Sequence, residues 1–132
     1  MRKLWIMAAG INGLAAVAAG AAAQHLWVDD AARALADTAI RYGLPHAAAL
    51  LALSALPLPV RKVARGLLSV AGGSLALGVM LFAGVLYALA VGGPSELTPI
   101  VPIGGSLMML GWGLLLAYGV AVGSSRAAKA QE

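Results

Sequence analysis

No cysteine occurs among the 132 residues. That absence removes disulfides, iron–sulfur clusters, thiolate zinc sites, a lipoprotein anchor and a thiol nucleophile together. Charge is nearly as scarce. Only 11% of residues are charged, against about 25% in soluble domains. No Asp or Glu falls inside the long apolar stretches, so an intramembrane carboxylate for proton coupling is missing. Nucleophilic catalysis has little to work with. Ser54, Ser69, Ser74 and Ser106 all lie outside any Gly-x-Ser-x-Gly elbow. The glycine-rich pieces lack the Lys-Ser or Lys-Thr of a phosphate loop. These absences point to a protein that is not an enzyme and carries no cofactor. The formal charge of +4 is not gathered into a basic run or an aromatic-interleaved patch, so nucleic acid is not an expected partner.

What is present is hydrophobic: 61% of the chain, where soluble domains sit near 45–50%. It falls into four stretches, residues 4–23, 44–58, 67–91 and 100–122. A bilayer core of about 30 Å needs roughly 20 apolar residues of helix. The expected fold is all-α: one domain over residues 1–132, with a bundle of four transmembrane helices spanning 4–23, 40–58, 67–91 and 99–122. Residues 28–40 differ from the rest. Asp29, Asp30, Arg33 and Asp37 stand beside Val28, Ala32, Leu35, Ala36 and Ala39. That spacing predicts a short amphipathic helix at the outer interface between spans one and two, capped by Asp29 or Asp30. The alternative is that this segment simply extends into span two. Span two is short for a crossing. Pro45 suits its first turn, where a missing N–H costs nothing, and Pro57 and Pro59 end it. Either the helix begins earlier, near Thr38, with a kink at Pro45, or the membrane accommodates a short span.

Seven of the nine basic residues share one side of this arrangement: Arg2, Lys3, Arg61, Lys62, Arg65, Arg126 and Lys129. Arg33 and Arg41 fall on the other, with Asp29, Asp30, Asp37 and Glu96. The positive-inside rule then predicts a multi-pass membrane protein with both termini in the cytoplasm. Arg2-Lys3, the first apolar run and Ala21-Ala22-Ala23 also resemble a signal peptide. The run is as long as a span, and retention is the favoured reading. Small residues recur at intervals of four: Ala9/Gly13, Ala16/Gly20, Ser74/Gly78, Gly84/Ala88 and Gly119/Gly123. Such spacing lets helices approach closely in lipid. Trp5 and Trp27 fit the aromatic belts of the two interfaces, whereas Trp112, inside span four, is expected to pack between helices.

The polar residues available for a site are few. His25 ends span one and His46 begins span two, so both are expected near the outer face. Tyr42, Arg41, Gln24 and Asp37 are their sequence neighbours, and Tyr87 falls near the outer end of span three. Asn12 lies within span one and is expected to hydrogen-bond across to another helix. His25, His46, Tyr42, Arg41, Asn12 and Tyr87 form the candidate polar cluster. Imidazoles there could bind a metal, hold a haem or relay protons. Two histidines without a helical His-x-x-x-His pair make a thin ligand set. A structural role for each, bonding backbone or headgroups, is favoured.

Ordered short blocks also run along the chain: Asn12-Gly13; Gly20-Ala21 followed by His25; Arg41-Tyr42 and His46-Ala47 ahead of Ala49-Leu50-Leu51; Gly78, Leu81-Phe82, Gly84 and Leu86-Tyr87; Pro102-Ile103-Gly104-Gly105; and Gly111-Trp112. In this set the chain resembles the domain of unknown function 423 family (UPF0382), small bacterial membrane proteins, over about residues 4–118. It departs from the family pattern at Ala23-Gln24, Pro45 and Val101. The resemblance implies a four-span inner-membrane fold, and no reaction, substrate or cofactor. Two functions are compatible with these observations. One is a non-enzymatic accessory subunit, assembly factor or homo-oligomer in the lipid bilayer. The other is a small oligomeric transporter or channel with a polar site at the outer end of the bundle.

Overall fold

The computed structural model describes the backbone of residues 2–23 and 29–129, and the side chains of residues 2–22 and 29–122. The described residues form four helices: α1 (Arg2–Ala23), α2 (Asp30–Ala55), α3 (Lys62–Ala90) and α4 (Ile100–Lys129). A 3-10 turn, Ser95–Leu97, precedes α4. The all-α fold expected from the sequence is present. Three segments are long and apolar enough to cross a membrane: Arg2–Ala22, Lys62–Ala90 and Ser95–Val122. Helix α2 is not among them, because Asp30, Arg33, Asp37 and Arg41 fill its first half.

The amphipathic segment expected between spans one and two is helical, and it is the first half of α2 rather than a separate piece. The Asp29 side chain accepts from the Ala31 amide at 3.2 Å and starts the helix there, satisfying an orphan donor of the first turn. Pro45 therefore sits inside the helix and not in its first turn. Its ring crowds the carbonyl four residues back and removes one amide donor. A helix packed among neighbours in lipid tolerates this. The helix stops at Leu56, where the backbone turns extended before Pro57.

Helix α3 ends in a Schellman motif. Gly92 adopts φ +85°, Gly93 N–H donates to Ala88 O at 2.8 Å and Gly92 N–H to Leu89 O at 3.1 Å. Only a residue without Cβ takes that left-handed position readily.

Helix α2 runs antiparallel to α1 and covers the same thickness. At one end the Arg2 guanidinium donates to Ser54 O (2.6 Å), Ala55 O and Leu56 O, so the first residue of α1 caps the last turn of α2. At the other end Ala19, Ala36 and Ala90 of three helices pack together. Helix α3 is the centre of the molecule. It packs against α1, α2 and α4, and it shares the wholly buried residues Leu50, Leu68, Leu75 and Val79 with α2.

Glycine sets the closest approaches. A Cβ on Gly78 would sit 2.8 Å from Met108 N and 2.9 Å from Gly104 O, and one on Gly104 would sit 2.6 Å from Phe82 N. A Cβ on Gly72 would enter the Trp5 ring. Trp5 is consequently buried between α1 and α3, at 4% exposure, rather than facing headgroups as a belt residue. Of the spaced small residues expected to bring helices together, Gly78 does so, Ala16 lies against Gly43 of α2, and Ala9 and Ser74 are buried. Gly13, Gly84 and Gly119 face open space.

Candidate functional site

His46 is the best-connected polar residue in the apolar part of α2. It lies one turn beyond Tyr42, so both side chains project from one face of the helix. That face meets α3 and α4. The His46 ring Nδ1 is 2.8 Å from Tyr42 O, and Trp112 of α4 directs its indole N–H to His46 Nε2 at 3.1 Å. A carbonyl can only accept and an indole N–H can only donate. The geometry therefore requires the neutral ring with its hydrogen on Nδ1. Both nitrogens are engaged, and neither offers a lone pair to a metal or a haem. The two rings meet edge-on, with centroids 5.9 Å apart.

Beside this pair, Tyr42 meets Phe82 of α3 edge-on at 5.0 Å. Pro102, Ser106 and Met109 of α4 complete a groove of about 440 Å³ between α2, α3 and α4. The Ser106 hydroxyl is taken up by Pro102 O, 2.9 Å away in its own helix. The groove thus presents apolar and aromatic surface, and the polar groups of His46, Ser106 and Trp112 within it are already paired.

The candidate cluster is only partly brought together. Tyr42 and His46 share the groove. Arg41 is exposed on another face of α2. Asn12 is buried at 5%, but its Nδ2 donates to Ala8 O at 2.9 Å within α1 instead of crossing to another helix. Among the described residues the Tyr87 hydroxyl is buried without a partner, and it lies 3.8 Å from where a Cβ on Gly43 would stand. It faces the α1 side of α2, away from the groove. His25, Gln24 and Trp27 lie outside the described residues.

Depth also differs from expectation. Because α2 starts at Asp30, His46 lies about 24 Å along it and not at its outer end. Trp112 is likewise about 18 Å into α4. It does reach across to another helix, yet it remains 48% exposed.

The sequence reading did not join Trp112 to His46, and it did not assign Phe82, Pro102 or Ser106 to a site. A usable signal was present. Residues 102, 105, 106, 109 and 112 share one face of a helix, as do 42 and 46.

The comparisons agree with this picture of a small helical membrane protein. Residues 15–105 match the family described as Protein of unknown function (DUF423). A UPF0382 membrane protein of Haemophilus influenzae is 38% identical over 122 residues, covering 90% of this chain and 94% of the relative. The UPF0382 membrane protein YwdK of Bacillus subtilis is 30% identical over 121 residues, covering 89% and 97%. No solved structure matches. With two thirds of its length matched by the family and full-length relatives in two bacteria, this chain belongs to the DUF423 family of membrane proteins of unknown function.

Proposed function

We propose that the protein is a non-enzymatic component of the bacterial inner membrane that works by association, either with further copies of itself or within a larger membrane complex. The observation that carries this reading is the surface of α4. The apolar window of α4 is 17% buried within the chain, against 44% for α3. The uncovered face runs through Pro102, Ser106, Met109, Gly113, Ala117 and Val120, all exposed. Gly113 and Ala117 are four apart on that face, and a Cβ at Gly113 would meet nothing within 4 Å. Lipid tails gain nothing from a small-residue face, whereas a second helix does, because its backbone can come close.

The His46 bonds count against a transporter in which this ring relays protons, since both nitrogens are occupied by groups that cannot exchange roles. The charge asymmetry supports placing both termini in the cytoplasm.

Sedimentation in density-matched detergent tests the association. A particle of two or more chains, or a stoichiometric partner, is expected for the natural protein. Gly113→Leu and Ala117→Leu should shift it towards one chain. A single chain without a partner before and after substitution overturns the proposal.

A further inference from the structure

A second groove lies on the outside of the molecule, between α1 and α3. It encloses about 420 Å³, a volume in the range of small-molecule sites. Leu4, Met7 and Ile11 of α1 form one wall, and Leu77 and Met80 of α3 form the other. The floor exists because Gly73 and Ala76 lack bulk: a Cβ at Gly73 would meet nothing within 4 Å. The Ser69 hydroxyl is already bonded to Arg65 O at 2.7 Å, so it does not call for a polar guest. From Ser69 to Met80 the groove runs about 16 Å along α3, close to the thickness of one leaflet of hydrocarbon.

One end of this groove is basic. Lys62 and Arg65 precede Ser69 by seven and four residues, so they continue the same face of α3 beyond the membrane core. Lys3 adjoins Leu4 at the matching end of α1. All three are exposed. The Arg65 Nε donates to Pro59 O at 3.1 Å, which leaves the two terminal nitrogens of its guanidinium for a further partner. No Asp or Glu occurs in residues 2–28 or 38–95, so neither helix brings an acid to this end. Arg2 takes no part, because its guanidinium is committed to the end of α2.

We propose that this groove holds one anionic phospholipid. An acyl chain lies against Gly73 and Ala76, and Lys3, Lys62 and Arg65 hold the phosphate. The charge complementarity selects the lipid class. A zwitterionic lipid fills the same groove but gains nothing net from three cations. The assignment is independent of the association through α4.

Native mass spectrometry of the full chain released from nanodiscs of mixed phosphatidylglycerol and phosphatidylcholine tests it. One retained phosphatidylglycerol per chain is expected, in preference to phosphatidylcholine. Lys62→Gln with Arg65→Gln should lower that retention by about tenfold or more, as two removed cations near an anionic lipid predict. Gly73→Leu with Ala76→Leu should abolish it by filling the groove. Gly73 faces open space, and an unchanged circular dichroism spectrum and melting temperature confirm that this variant folds. Two results overturn the proposal. One is equal retention of the two lipids. The other is a phosphatidylglycerol preference that survives groove filling, which is the mark of general attraction to a basic surface.

Discussion

At the scale of single residues, two aromatic side chains have opposite relations to hydrogen bonding. Trp112 supplies the donor that His46 Nε2 accepts from. Interhelical bonds in lipid are worth about 0.6–1.7 kcal/mol. Trp112→Phe keeps a ring and deletes the N–H. A double-mutant cycle with His46→Leu, read from reversible unfolding in mixed micelles, should give a coupling in that range. A coupling near zero would show that the pair is adjacent without cohesion. Tyr87 is the converse case. Its buried hydroxyl has no partner among the described residues, and an unsatisfied buried polar group costs about 1–3 kcal/mol. Tyr87→Phe is therefore expected to leave stability unchanged or raise it by about 1 kcal/mol in the same assay. A clear loss would mean that the hydroxyl is bonded in the membrane.

At the scale of helices, the local punctuation was legible and the lengths were less so. The stops at Pro57 and at Gly92-Gly93-Pro94 follow from residues that cannot continue a helix, and the structure ends α2 and α3 there. The union of residues 28–40 with the second apolar stretch was legible only as the less favoured of two readings. Pro45 reads as a boundary on local grounds, and only the neighbouring helices decide that it lies inside α2. A helix that starts at Pro45 would put His46 at the outer end of the bundle. The true start at Asp30 puts it near mid-depth. Glycines show the same limit. Spacing marks Gly78 and Gly84 alike, yet Gly78 touches α4 and Gly84 touches nothing, a distinction set by the crossing of α3 and α4. The contact has a measurable consequence. Gly104→Val places carbon atoms where the Phe82 and Gly78 backbones now lie. Overpacking of this kind costs typically 1–3 kcal/mol, and backbone cannot swing aside as a side chain can. The melting temperature should fall sharply, whereas Gly84→Val should leave it nearly unchanged. Equal effects would show that the α3–α4 approach is not close.

At the scale of the whole molecule, cohesion and orientation come from different parts of the sequence. Helix α3 holds the other three together through small residues and a few large apolar ones. Orientation rests on the ends. Arg61, Lys62 and Arg65 cluster at the α2–α3 turn, while Asp29, Asp30 and Glu96 stand at the opposite side. The Arg2 bonds to the last carbonyls of α2 place the start of α1 beside that basic turn, so the structure puts the two groups of cations at one level. The chain has no cysteine, which makes single-cysteine variants clean reporters of sidedness. Ser95→Cys, in the 3-10 turn before α4, and Val60→Cys, in the basic turn, are both at exposed positions. With cytoplasmic termini, a membrane-impermeant maleimide added to intact spheroplasts should label Ser95→Cys and spare Val60→Cys until the membrane is opened. Labelling of Val60→Cys alone would invert the molecule. Labelling of both in equal measure would mean that the cations are too evenly opposed to fix one orientation, since the positive-inside bias acts through Lys and Arg in short loops and little through acids.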